Sequence, residues 1–289
     1  MKQMELDEFK KVFDREIDIF FTNAEVEKEL KDAILYSIKS GGKRIRPWII
    51  FNLGNALFLN DSDLLNIGIA VEILHSSSLI HDDLPALDNA DLRRGALSNH
   101  KKFGEYSAIL AGDYGFTLPI KIFIEYLDDV STDRKMLLIK YFVESTLKLF
   151  EGELKDLDFE KKNIRVTKEE ILNMYSKKTG ALFGFCFAAP FLLSGSIKTG
   201  EKMKEIGIKF GIAFQIYDDL KDLTGTEKEL GKDINKDINK KTLLNYYKFK
   251  EAKNIADKYY EEVLKELYQS ELEELMIMLG KIKAIIETK

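Results

Sequence analysis

Apolar residues recur at intervals of three and four along most of this chain. Only four prolines, Pro47, Pro85, Pro119 and Pro190, punctuate them. Leu64, Ile67, Val71 and Leu74 fall on one such register, and Leu138, Tyr141, Phe142, Ser145 and Leu149 on another. Val263, Leu267, Leu272 and Leu275 repeat it more loosely near the end. That spacing is the period of an α-helix hiding one face. Alternating β-branched runs are scarce, and no Asn-Gly pair joins two of them as a hairpin would. The pattern predicts an all-α protein of ten or more helices. No stretch rich in glycine, serine or proline divides the sequence, so residues 1–289 read as a single domain.

The longest apolar stretch, 181–193, contains Pro190 and falls short of the roughly 20 residues that cross a bilayer. It reads as a core helix kinked or broken at the proline, and no stable membrane insertion is expected. The first residues, MKQMELDEFKKVFDRE, are acidic and amphipathic, unlike a signal peptide. The tandem KDIN within 232–241 is polar and follows a glycine, so an exposed, mobile loop is expected there. A net charge of −5 argues against a nucleic-acid partner, which needs a basic surface. The one cysteine, Cys186, reads as a buried apolar thiol, and a chain without a cysteine framework suits a reducing cytoplasm.

Two acidic clusters carry the chemistry. The first, Asp82-Asp83 with Asp88 and Asp91, follows the apolar helical segment 67–80. Its acids therefore sit at a helix C-terminus, where the macrodipole is already negative. Two carboxylates about 4 Å apart repel by roughly 4 kcal/mol at an effective dielectric of about 20. Such a cluster needs a cation or must take up protons, and magnesium suits all-oxygen ligands that bridge to phosphate. The second cluster, Asp218-Asp219 with Asp222, follows the apolar segment 210–217. Asp218 and Asp222 are four apart and share a helix face, from which Tyr217 and Leu220 turn away. One such cluster alone is most simply a polar helix end. Two, each ending an apolar helix and each followed by basic residues, point to metals gripping a diphosphate.

Cations lie close by. Gly41-Gly42-Lys43-Arg44-Ile45-Arg46-Pro47 places three in four residues, and Arg93-Arg94-Gly95 follows the first acids directly. Arginine offers a planar fork suited to diphosphate oxygens. Lys177-Lys178-Thr179-Gly180 opens a further helix, where amides and a lysine favour anions. His75, two helical turns before Asp82, is placed to donate to a diphosphate. His100 reads as an ordinary surface residue.

GGKRIRP, DDLPALD followed by RRG, KTG and FQIYDDLKD occur in this order, and together they resemble the trans-isoprenyl diphosphate synthases of the polyprenyl synthetase family. The DDxxxxD spacing is similar to that of bacterial farnesyl and related geranylgeranyl diphosphate synthases. The resemblance implies an isoprenoid synthase-like bundle around a central cavity, a homodimer, and three magnesium ions per active site. It implies that Asp82, Asp83, Asp88, Asp218, Asp219 and Asp222 hold the metal. Arg93 would contact the allylic diphosphate, with Lys178, Thr179 and Lys232 near it, and Gln215 would contact substrate; Lys43, Arg46, His75 and Arg94 would bind isopentenyl diphosphate. Asp82, Asp83, Asp88, Arg93, Lys178 and Asp218 would carry catalysis. The implied reaction joins isopentenyl diphosphate to dimethylallyl and then geranyl diphosphate, giving farnesyl diphosphate. A geranylgeranyl product is the alternative, and a non-catalytic synthase subunit a weaker one, since such subunits tend to lose an acidic cluster.

Three departures stand out. Glu153, in Gly152-Glu153-Leu154-Lys155-Asp156, occupies a position where the family often has an amide. The stretch from Asp237 to Thr242 is short. Ser76, Ser77 and Ser78 are all small where many farnesyl synthases carry an aromatic floor. Either Leu74 or Phe116 then closes the pocket, or the product exceeds C15.

Overall fold

The structure is a computed structural model and describes residues 4–162, 164–224, 240–269 and 273–287. Among these residues the elements are helical apart from a single two-stranded ribbon. The expectation of an all-α protein holds. The described residues divide into two compact units, one built from residues 4–139, the other from the described residues that follow 139.

The first unit holds α1 (Leu6–Asn23), α2 (Lys28–Lys39), α3 (Ile45–Ala56), α4 (Asp61–Asp82), the short α5 (Asn99–Phe103) and α6 (Glu105–Glu125). Helix α1 is amphipathic and buries Phe9, Phe13, Ile17, Phe20 and Phe21, a stripe at helical spacing. Helix α4 is different. It is buried nearly all round and packs against α2, α3 and α6. Asn60 starts it by accepting from the amides of Ser62 and Asp63, which satisfies N–H groups with no partner in the helix. Glycines let α6 come close: a Cβ on Gly112 would overlap the His81 ring, and one on Gly115 the Ser77 hydroxyl.

Helices α4 and α6 are long and apolar enough to cross a membrane by length and composition alone. The relevant window of α4 is 72% buried inside the protein, so its apolarity is spent on the core. Helix α6 leaves Tyr106, Ile109, Leu110 and Ile124 exposed. His100, expected at the surface, is instead buried, with Nδ1 3.1 Å from the Ser98 hydroxyl. Its short helix packs against α2 and α6, a tertiary burial that no local pattern around residue 100 announces.

Helix α7 (Thr132–Lys161) begins in the first unit and continues into the second. The second unit also holds α8 (Lys168–Tyr175), a π-helical turn (Ser176–Gly180), α9 (Ala181–Ser194) and α10 (Ile197–Thr224). A 3-10 turn (Leu243–Asn245), α11 (Phe249–Tyr268) and α12 (Glu273–Glu287) complete it. Helix α8 begins with a capping box, Thr167 and Glu170 each satisfying the other's backbone amide. Helix α9 runs through Pro190 without a break, and every residue from Ala181 to Leu193 is buried, including Cys186. Gly195, with φ of 88°, ends it in the left-handed conformation that glycine tolerates best. Backbones of the π turn and α10 nearly touch: a Cβ on Gly211 would stand 2.5 Å from the Gly180 Cα.

Asp257 on α11 ties three helices together. It accepts from Tyr217 of α10 at 2.6 Å, from Lys283 of α12 at 2.6 Å and, through its other oxygen, from Lys253 at 3.0 Å. Burial alone would raise its pKa, but these donors outweigh that and hold the carboxyl at about 2. A carboxylate depressed below its unfolded value stabilises the fold above about pH 4, and that contribution disappears as pH falls toward 2. Asp257→Asn is therefore expected to cost about 1 kcal/mol near neutrality after allowance for partial exposure. In urea unfolding the gap from wild type should narrow steadily as pH falls from about 5 toward 2. A gap independent of pH would remove the carboxylate from this account.

Candidate active site

The first unit brings one acidic and two basic motifs together. Asp82 is the last residue of α4 and Asp83 its C-cap. The chain then folds back: the Asp88 amide donates to the Asp82 carbonyl at 2.9 Å, and the Ala90 amide to the Asp83 carbonyl at 3.2 Å. A two-residue ribbon follows, β1 (Leu92–Arg93) paired with β2 (Ala96–Leu97). Its turn is Arg94-Gly95, with φ of 53° and 79°, the positive pair that a tight right-twisted hairpin demands. No Asn-Gly signal marked this hairpin, because arginine here takes the place asparagine usually fills.

The turn sends neighbouring arginines to different partners. Arg93 grips Asp83, Nε lying 2.8 and 2.9 Å from the two carboxylate oxygens and Nη2 2.6 Å from Oδ1. Asp83 is buried, which pushes its carboxyl pKa up while Arg93 pulls it down. Arg94 donates to the Gly41 carbonyl, which also accepts from Arg44 at 3.3 Å. Burial first, then the charges of Arg46, Arg94, Arg93 and Arg44, hold His75 well below the usual histidine range. His75 is neutral at physiological pH and sits in a strongly positive field. Lys43 and Arg46 are half-buried in the same unit.

In the second unit, Lys178 and Thr179 lie in the π turn. Lys178 Nζ sits between Glu153 at 2.8 Å and Asp156 at 2.6 Å, so the glutamate found in place of an amide forms an ion pair with this lysine. Thr179 donates to Gln215 Oε1 at 2.6 Å, and Gln215 Nε2 donates to Asp219 Oδ1 at 2.9 Å. Tyr175 donates to the other Asp219 oxygen and accepts from the Leu243 amide at 3.2 Å. Burial pushes the Asp219 carboxyl up to about 7; Tyr175 and Gln215 oppose this, while Asp218 and Asp156 add to it. Asp218 is exposed and Asp222 half-buried, while Tyr217 and Leu220 are buried as the helical spacing requires. Lys232 and the whole tandem KDIN, 232–239, expected to be an exposed loop, lie outside the described residues.

Sequence reasoning missed Tyr175, which stands three residues before Lys178 and had no local signal. It also missed Asp14 and Glu72, the carboxylates that hold Arg44. Glu72 did carry a signal, as an acid inside the apolar run of α4. Phe116 rests edge-on against His81, one residue before the acids, so it stands level with the cluster. Ser77 is fully buried against Gly115. An open depression of about 610 Å³ in the second unit, lined by Lys140, Tyr141, Glu144 and Lys198 among others, contains none of the candidate residues.

Among the described residues, no three Asp, Glu, His or Cys side chains converge into a ready-made metal cage. The donor set still fits magnesium, which commonly takes one or two carboxylates and completes its shell with water and substrate phosphate. Burial, with smaller contributions from the charges of Asp218 and Asp156, pushes the Asp219 carboxyl up to about 7, and a divalent ion would relieve that.

Comparison with known proteins agrees with the motifs. A farnesyl diphosphate synthase of Bacillus subtilis is 37% identical over 227 residues, 77% of this chain and 76% of that one. The crystal structure of a Thermotoga maritima geranyltranstransferase superposes with a TM-score of 0.84 at 40% identity, covering 97% of this chain and 98% of that one. A Helicobacter pylori geranyltransferase, solved with magnesium and isoprenyl diphosphate, gives 0.84 at 26% identity, covering 98% and 99%. The polyprenyl synthetase profile matches residues 27–279, and the chain belongs to that family.

Proposed function

We propose that the protein condenses isopentenyl diphosphate with dimethylallyl and then geranyl diphosphate to release farnesyl diphosphate. The observation that carries the reading is the charge arrangement of the first unit. Acids that call for a cation stand at the end of α4, beside arginines that call for an anion and a histidine held neutral among them. A metal-bound diphosphate answers both needs.

The roles follow from side-chain chemistry. Lys43, Arg46, His75 and Arg94 bind the diphosphate of isopentenyl diphosphate, the neutral imidazole donating a hydrogen bond without adding charge. Arg93, Lys178, Thr179, Gln215 and Lys232 serve the allylic diphosphate. Asp82, Asp83, Asp88, Asp218, Asp219 and Asp222 are the proposed magnesium ligands, with three ions per site. Magnesium, when bound, neutralises charge on the leaving diphosphate. The allylic C–O bond breaks, with both electrons leaving on the diphosphate, which arginine and lysine stabilise. The double bond of isopentenyl diphosphate supplies the pair for the new C–C bond. A proton then leaves from the adjacent carbon to the released diphosphate. No protein nucleophile takes part.

Two further parts of the reading have support. The uncovered apolar residues Tyr106, Ile109, Leu110 and Ile124 of α6 suit a homodimer. A single cysteine buried in α9 suits the cytoplasm.

The test is incubation with isopentenyl and dimethylallyl diphosphates and magnesium, followed by dephosphorylation and chromatography of the lipid. The expected product is C15. A C20 product would overturn the assigned length and favour the reading in which the small residues Ser76 to Ser78 leave room for growth. No lengthened product would overturn the enzyme assignment and favour a non-catalytic subunit.

A further inference from the structure

Arg44 belongs to the GGKRIRP motif yet cannot meet a substrate, because its side chain is only 2% exposed. It caps the start of α3 with φ of 55°, a backbone conformation that costs about 1 kcal/mol for a residue other than glycine. Ion pairs and hydrogen bonds hold it there. Nη1 donates to Glu72 of α4 at 2.6 Å, Nε to Asp14 of α1 at 2.7 Å and Nη2 to the Ile38 carbonyl at 2.8 Å. Nη1 also reaches the Gly41 carbonyl, the same oxygen to which Arg94 donates. A Cβ on Gly42 would lie 2.9 Å from Arg44 Nη1 and 3.1 Å from Arg94 Nη1, so the two guanidinium groups converge on one glycine pair. Like charges brought this close need a counter-charge. Glu72, itself 5% exposed on its side chain, is the buried one, since Asp14 is 37% exposed and shared with Lys10.

We propose that Arg44 and Glu72 are positioning residues: their buried ion pair fixes the Gly41 carbonyl, and that carbonyl seats Arg94 against the diphosphate of isopentenyl diphosphate. The inference rests on the function proposed above and deepens it. The strut touches no reacting atom. It sets where the anion-binding groups stand, and it serves one of the two substrates.

That asymmetry supplies the test. Isopentenyl diphosphate is varied at saturating geranyl diphosphate, and the reverse, for Glu72→Gln and Arg44→Lys. Each variant is expected to raise KM for isopentenyl diphosphate about tenfold, as small misplacements of positioning groups do, while KM for geranyl diphosphate stays at the wild-type value. A merely structural role would lower thermal stability and the active fraction and leave both KM values alone, and that result would overturn the proposal. So would an equal rise in both. Should these variants not fold, Asp14→Asn, which weakens the half-exposed anchor, decides by the same split at about two- to threefold. Calorimetric binding of isopentenyl diphosphate to wild type and variants separates this inference from the proposed reaction. Wild type that binds but does not condense would sink the reaction alone, whereas equal binding by wild type and Glu72→Gln would sink the strut alone.

Discussion

Asp82→Ala is expected to lower kcat by about a thousandfold while leaving the fold intact, because it removes a proposed ligand of the magnesium that would neutralise the leaving diphosphate. Its neighbour should behave differently, and the contrast is the sharper check. Asp82 closes α4 with its negative charge at the negative end of the helix. Removing that charge is worth about 0.3–1 kcal/mol in favour of the fold, and the Asp82 carbonyl that receives the Asp88 amide survives in alanine. Alanine also gives up the attraction between Asp82 and Arg93, which offsets that gain, so the melting temperature should stay near wild type. Asp83 is buried and doubly bonded to Arg93. Asp83→Ala strands that guanidinium and is expected to cost about 2 kcal/mol, less than for a fully buried pair because Arg93 is 31% exposed. Activity assays with labelled isopentenyl diphosphate, set beside calorimetric melting, read both quantities. A near-wild-type kcat in Asp82→Ala would remove this acid from the reacting site. Equal melting losses at 82 and 83 would contradict the division of labour between them.

The division between these adjacent acids was not legible in the sequence, although the cluster was. Helical period and scarce prolines announced the all-α fold, and an apolar run ending in Asp-Asp announced a helix C-terminus, because both are local properties of the backbone. What each acid touches depends on chain returning from a distance. Arg93 reaches Asp83 because the hairpin at Arg94-Gly95 turns it back, and that turn uses a non-glycine residue at positive φ that no pattern flags. Tyr175 meets Asp219 across 44 residues, and Arg44 meets Glu72 across 28. Pro190 was read as a kink or break, and of these the break is absent, since α9 continues through it. Helix α9 is buried throughout, and tertiary packing there outweighs one missing amide. The misreading of His100 has the same root: its burial comes from α2 and α6, not from its neighbours in sequence.

Gly211→Ala is expected to destabilise the second unit more than any exposed substitution, although alanine is the better helix former. Two terms compete. In an open helix, replacing glycine by alanine gains up to about 1 kcal/mol. Here the new Cβ would stand 2.5 Å from the Gly180 Cα and 3.1 Å from the Gly180 nitrogen, so it meets backbone that no side-chain rotation can clear. Overpacking of that kind costs about 3 kcal/mol, and the clash wins by about 2. The melting temperature should fall by about 4–8 °C. Gly280 on α12 supplies the control, since nothing lies within 4 Å of a Cβ placed there. Gly280→Ala should show the propensity term alone and stabilise by about 0.5–1 kcal/mol. The site should register the first change as well. Gly180 follows Thr179 directly, and Thr179 donates to Gln215, one turn beyond Gly211 on α10. Pushing the π turn off α10 lengthens that bond and shifts Lys178 with it. If Gly211→Ala melts with or above wild type, the two backbones do not touch, and the seat assigned to Lys178 and Thr179 has no foundation.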